Sequence, residues 1–151
     1  MLKSAGILVY RKISRQLEFF LVHPGGPFFR NKEEGVYSIP KGLIESGEEP
    51  LPTAIREFEE ETGVKISGNF LPLGTITQKG GKEVQAWAVT FEIDPHQLKS
   101  NTFSLEWPPK SGKIQDFPEV DKAGWFTLAE AKRLINEKQF ELIERLTTLL
   151  T

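Results

Sequence analysis

A single α/β domain is what this sequence predicts, and three observations carry the prediction. Runs rich in Ile, Val, Leu and Phe recur at Ala5 to Tyr10, at Leu17 to Val22 and between Phe70 and Ile93, bounded by turn-forming residues. A helical pattern opened by prolines lies among them, and a second helical stretch closes the chain. The 151 residues are 38% hydrophobic and 26% charged, which suits one globular domain with a core of its own.

The first two runs are separated by the charged, turn-forming stretch Arg11 to Gln16, so they read as paired strands. Residues 23 to 35, HPGGPFFRNKEEG, form a loop punctuated by glycine and proline. A loop that long in a compact domain is often functional. The short apolar VYSIP follows it. Pro50 and Pro52 suit a first helical turn, where a missing N–H costs nothing, and Gly63 stops the helix after Thr62. Phe70 to Gln78 and Glu83 to Ile93 flank Lys79-Gly80-Gly81-Lys82, a hairpin signal. Residues 94 to 118 read as irregular. Gly124 to Thr127 is a short strand, and Leu128 to Leu150 is helical by period, in one piece or two. These assignments cluster the strands around a central helix, in one domain over residues 1 to 151.

Composition removes several function classes. The net charge of −2 leaves no field that would gather nucleic acid or an anionic membrane over the whole surface. With no cysteine there are no disulfides, thiolate zinc sites or cysteine nucleophiles. His23 and His96 have no cysteine to complete a zinc set with them. The glycine pairs form neither a P-loop nor a dinucleotide fingerprint. The apolar run in MLKSAGILVYRK is too short for a signal peptide or a spanning helix, so the expected compartment is the cytoplasm.

The stretch REFEEETG, residues 56 to 63, raises a different question. On a helix at about 100° per residue, Leu51, Ala54, Ile55 and Phe58 share an apolar stripe. Glu57, Glu60 and Glu61 have i, i+3 and i+4 spacing and share another face, while Glu59 falls on neither. The acids stand at the helix C-terminus, where the dipole disfavours anions. Alone, such a run reads as a solvated face, since repulsion costs only about 0.2–0.5 kcal/mol per pair.

The upstream residues change that reading. Residues 42 to 64, GLIESGEEPLPTAIREFEEETGV, carry Gly42, Glu48, Arg56, Glu57, Phe58, Glu60, Glu61, Gly63 and Val64 in the spacing of the Nudix hydrolase box, with no departure. A chance match of that many positions is on the order of one in a billion per start point. The SIPKG lead-in and the closing GWF with its helix also resemble the family. The resemblance implies an α/β/α sandwich with a mixed β-sheet and a catalytic loop–helix–loop. It also implies Mg²⁺ or Mn²⁺ as cofactor and hydrolysis of the P–O–P bridge in a nucleoside diphosphate derivative. Hard cations want oxygen ligands, which accounts for acids placed where the helix dipole opposes them.

By motif position, Glu60 and Glu61 correspond to metal ligands, and Glu57 to a residue that binds metal or handles the attacking water. Arg56 would orient Glu57, and Glu48 would brace the site from its loop. The Lys41 carbonyl is a further ligand in many members. One more acid is expected before the final strand: Glu119 is the candidate, ahead of Asp116 and Glu106. Which carboxylate acts as base stays open. Arg30, Lys32 and Lys41 are candidate phosphate partners. Phe28 and Phe29 would stack a nucleobase or cap the core, and Trp107 presents the same choice. His23 either touches substrate or is a plain strand-end histidine.

A small nucleotide is therefore the expected partner, with no nucleic acid or membrane. The PKG before the box tilts the substrate towards dinucleoside or inositol polyphosphates, with nucleoside triphosphates as runner-up. A silent nucleotide-binding module on the same fold would typically have lost box glutamates, and all are present. An isomerase on a related fold would call for a cysteine.

Overall fold

In the computed structural model, which describes residues 2–151, the chain runs β1 (Lys3–Ile13), β2 (Gln16–Pro24), β3 (Lys41–Leu43), α1 (Pro50–Thr62), β4 (Leu71–Thr77) and β5 (Glu83–Thr90). It continues through β6 (Thr102–Glu106), β7 (Ile114–Pro118), β8 (Val120–Thr127), α2 (Leu128–Leu134) and α3 (Phe140–Leu149), with short 3₁₀ turns at Pro95–Gln97 and Glu137–Gln139. The first two strands extend beyond their apolar runs into the charged stretch between them. Arg11, Lys12 and Ile13 pair with Glu18, Leu17 and Gln16, and the Arg11–Glu18 ion pair spans the ladder at 2.9 Å. Ser14 and Arg15 make the two-residue turn with positive φ, the conformation that suits the strand twist.

The main sheet has the order β4-β5-β1-β2-β8, with β3 paired to the start of β1. β1 and β5 are parallel and the other pairs antiparallel, so the sheet is mixed. Successive residues of β1 point to opposite faces. Ile7 and Val9 join Phe20, Ala54 and Phe58 under α1, whereas Leu8 joins Phe19, Leu21, Leu142, Ile143 and Leu146 under α3. The helix is therefore not central. A sheet apolar on both faces must be covered on both, and the result is an α/β/α sandwich.

Two further sequence expectations change. Residues 94 to 118 are not wholly irregular, because β6 and β7 form a separate antiparallel hairpin. In β6 only Phe103 and Leu105, and in β7 only Phe117, are even half-buried, so the apolar alternation is too sparse to read. The final strand begins at Val120 rather than Gly124, because β2 pairs with it as far as Pro24 through an irregularity at His23. The C-terminal helical stretch is in two pieces. A capping box of Thr127 and Glu130 starts α2, and Asn136 caps the turn that leads into α3. No helix among the described residues is long and apolar enough to cross a membrane.

The functional end of the sheet comes from a change of partner. β1 pairs with β3 through Ser4 to Gly6 and with β2 from Val9 onward. The segment Ser38 to Lys41 wedges in between: Ser38 bridges to Val22, and Ile7 N donates to the Pro40 carbonyl at 3.2 Å. Strands that part in this way leave a crevice at their ends.

Candidate active site

α1 is seated by Ala54 and Phe58, both fully buried. It ends at Gly63, whose φ of 81° is the left-handed cap that glycine adopts at least cost. Its last carbonyls do not go to solvent. Thr62 O accepts from Lys99 N at 2.9 Å and Glu60 O from Asn101 N at 2.8 Å. Asn101 O in turn accepts from Glu119 N at 2.8 Å, so one backbone bridge fixes Glu119 to the acid end of the helix.

Arg56 is the hub of the acids. Its Nε and Nη2 donate to both carboxyl oxygens of Glu48, at 3.1 and 3.0 Å, a bidentate grip on the loop before the helix. Nη1 donates to Glu57 at 3.2 Å and to Glu60 at 3.0 Å. The Glu45 N–H and then the guanidinium hold Glu48 below the usual carboxylate range. The same carboxylates, Glu48 first, raise the Arg56 pKa. Glu57 lies against β3: an added Cβ on Gly42 would stand 2.0 Å from the Glu57 carboxyl carbon.

The remaining acids are pushed the other way. Burial and then the Glu60 charge raise Glu57 to about 6. Burial raises Glu61 to about 8, although the Lys41 ammonium opposes it and the Lys41 N–H reaches Glu61 at 3.4 Å. Glu119 stands at the solvent side, yet partial burial of its carboxyl, and then the Glu60 charge, raise it too. Lys41 is itself lowered by burial. Glu61, Glu119, Lys41, Ser38, Val22 and Pro24 line a cleft of about 150 Å³. Five carboxylates, Glu48, Glu57, Glu60, Glu61 and Glu119, thus face the cations Arg56 and Lys41. Among the described residues no three acidic or histidine side chains are already gathered around one point. The donors are all oxygen and their charge is not neutralised within the chain, which fits a hard divalent cation.

His23 is placed differently from a substrate contact. It is 1% exposed, with Nδ1 at 2.7 Å from Asp121 Oδ1 and Nε2 at 2.6 Å from the Lys32 carbonyl. Both ring nitrogens are engaged, so the ring ties the long loop to β8 and has no polar atom left for a ligand. Phe28 is 59% exposed and does not cap the core, whereas Phe29 is half-buried with Lys32 Nζ 5.9 Å from its ring centroid. Arg30 is exposed on the same loop, without an ion-pair partner among the described residues. Asp116 accepts from Ser104 at 2.6 Å, and Glu106 from Lys110 N at 3.1 Å, so both belong to the β6–β7 hairpin.

Two features had no sequence signal. Gln139 is buried; its Oε1 accepts from Ile39 N at 2.9 Å and its Nε2 donates to Ser38 Oγ at 3.0 Å, holding the cleft wall. A cavity of about 540 Å³ opens behind that wall, lined by Lys79, Lys132, Arg133, Ile135, Lys138 and Phe140, among others. Its size is that of a small-molecule site, with apolar and cationic walls together.

Comparison with known proteins agrees with this fold. An RNA pyrophosphohydrolase of Brucella anthropi is 32% identical over 115 residues, covering 66% of this chain and 61% of that protein. The asymmetrical bis(5′-nucleosyl)-tetraphosphatase of Caenorhabditis elegans is 34% identical over 62 residues, 41% of each. The chain thus spans about 41% to 61% of the length of these curated relatives. A solved Ap4A hydrolase from C. elegans, in a binary complex, shares the fold with a TM-score of 0.67 at 20% identity, over 99% of this chain and 98% of that one. The family model described as NUDIX domain matches residues 2–146, nearly the whole length, and the chain belongs to the Nudix family.

Proposed function

We propose that the chain hydrolyses a phosphoric anhydride in a nucleoside diphosphate derivative, with Mg²⁺ or Mn²⁺ held by Glu57, Glu60, Glu61, Glu119 and the Lys41 carbonyl. The observation that carries this reading is the set of five carboxylates at the end of α1 and on its flanking loops, two of which, Glu61 and Glu119, line one small cleft. When bound, the cation would polarise phosphoryl oxygens, offset developing charge and lower the pKa of the attacking water. The chain's own part is positioning. Arg56 holds Glu57 and Glu60 in one array, Glu48 fixes Arg56, and the Lys41 ammonium presents positive charge to the substrate phosphates. The larger cavity takes the nucleoside, with the half-buried Phe140 as an apolar wall and Lys79, Lys132 and Lys138 as cations.

A panel of phosphoric anhydrides, two of them suggested by the names of the relatives, tests this. Diadenosine tetraphosphate, nucleoside triphosphates, ADP-ribose, an inositol pyrophosphate and a 5′-triphosphate oligoribonucleotide are incubated with metal, reading phosphate after coupled release. Turnover of none of them would defeat the reading.

Two expected results follow for the site. Glu119→Gln lowers turnover by about ten- to a hundred-fold, the usual loss when support of a metal is weakened. It costs less than a change in α1, because Glu119 is on a loop at the solvent side. Unchanged kinetics would make it an ordinary surface glutamate.

Metal should also stabilise the fold, and more so as pH rises. Below their raised pKa values, about 6 and about 8, Glu57 and Glu61 hold protons that a cation must displace. At a metal concentration a hundred-fold above the Kd at pH 8.5, the melting temperature should rise by roughly 5–10 °C at that pH, and by less at pH 6 with the same metal concentration. Melting curves at the two pH values check it; a larger shift at pH 6 would contradict the assigned ligands.

A further inference from the structure

We propose that Phe28 and Trp107 form a stacking platform for a second nucleobase, so that the favoured substrate carries a nucleoside at each end of its phosphate chain. The proposal rests on the reading that the acid cleft cuts a phosphoric anhydride, and it names the substrate class.

The platform is built from two excursions of the chain that pack on each other. The β6–β7 hairpin pairs with no strand of the main sheet, and a lone hairpin is marginally stable. It is held by the Phe103–Phe117 pair, with centroids 6.0 Å apart, and by the loop after β2. Gly25 and Gly26 allow that contact. A Cβ on Gly25 would stand 1.9 Å from the Pro118 carbonyl oxygen, and one on Gly26 would stand 2.9 Å from the Phe103 ring. Gly25 N also donates to the Glu119 carbonyl at 2.9 Å, which anchors both excursions beside the acid cleft.

At their outer ends these elements bring Phe28 and Trp107 together edge to face, with centroids 5.4 Å apart at 79°. Neither ring belongs to either core cluster, and Phe28 stays 59% exposed. Lys110 and Lys113 at the hairpin turn, with Arg30 and Lys32 on the loop, have no ion-pair partner among the described residues. Aromatic rings on a loop and a hairpin that also carry unpaired cations are the pattern that stacks bases and tracks phosphates.

Reach selects which base is bound. From Thr102, paired with Pro118 beside Glu119, to Trp107 the strand advances roughly 17 Å at about 3.3 Å per residue. The base on the nucleoside next to the cut anhydride stays close to the cleft and short of the platform. The nucleoside at the far end of a polyphosphate bridge has the length to arrive at the platform.

The test compares diadenosine tetraphosphate with adenosine 5′-tetraphosphate, which has the same phosphates and one base. In Phe28→Ala and Trp107→Leu, KM for the two-base compound should rise roughly ten-fold or more relative to KM for the one-base compound, with kcat moving less. An unchanged KM ratio overturns the proposal, as does a ratio that shifts only with a 5′-triphosphate oligoribonucleotide. A second measurement needs no turnover. Diadenosine tetraphosphate added in excess EDTA should quench tryptophan emission in the wild type and not in Trp107→Phe, where Trp87 and Trp125 remain. Quenching absent from the wild type, or retained in the variant, overturns the platform. An enzyme that hydrolyses none of the panel would instead defeat the anhydride reading, while the quenching still reports on the platform.

Discussion

Glu61→Gln should lower turnover by at least about a thousand-fold and, without metal at pH 8, raise the melting temperature. The two halves come from one fact. Glu61 is a half-buried carboxylate whose pKa desolvation pushes up to about 8, so at neutral pH the folded state holds a proton that the unfolded chain releases near its ordinary value of 4.5. A carboxyl raised on folding is a burden as pH climbs. The burden is absent below about pH 4.5, accumulates up to about 8 and is constant above that. The amide keeps the shape and the oxygen facing Lys41 N but never carries the charge, so the variant lacks this slope. It also lacks the charge that phosphoryl transfer needs, and electrostatic stabilisation is the dominant contribution in such chemistry. Glu60→Gln should lose turnover on the same scale, while Glu59→Gln, off the acid face, should change it by less than about two-fold, as surface substitutions do to stability. Thermal melts from pH 5 to pH 9 and steady-state rates on one substrate decide it. A Glu61→Gln protein as active as the wild type removes the assigned role, and one that melts lower at pH 8 removes the electrostatic account.

The residues of α1 were legible because two periodic demands meet in one short segment. Phe58 and Ala54 must point at the sheet, and the helical repeat then puts Glu57, Glu60 and Glu61 on a common side. The box spacing pairs Arg56 with Glu57, and the structure adds that the bidentate grip of Arg56 is on Glu48. Other features depend on partners far away in sequence. Gln139 meets Ile39 across 100 positions, and no local pattern marks a glutamine for that task. The β6–β7 hairpin is mostly exposed and packs through Phe103, Phe117 and two loop glycines, so its strands lack the continuous alternation of a core strand. The sequence leaves His23 as either a substrate contact or a strand-end histidine. Its burial depends on Asp121 and Lys32 both turning polar atoms inward, which is a property of the assembled fold.

Gly42→Ala should cost on the order of a hundred-fold in turnover, or more, although alanine is the mildest addition a glycine can receive. Gly42 does not have a positive φ, so its backbone would accept alanine without strain. The obstacle is the space in front of it. The new methyl carbon would stand 2.0 Å from Glu57 Cδ and 2.1 Å from Oε2, far inside contact distance. Glu57 has little room to yield: it is tethered to Arg56, which also holds Glu48 and Glu60, and its side chain is 14% exposed. Relief requires the carboxylate to leave the array or β3 to lift away from α1. Either shift moves a functional group by about an ångström, which can cost about a hundred-fold. A double-mutant cycle separates this from general damage. In a Glu57→Ala background the obstructed carboxylate is gone, so Gly42→Ala should add almost nothing to the loss, whereas independent effects would add in full. Full activity of Gly42→Ala alone would mean that Glu57 does not occupy this position in the working enzyme.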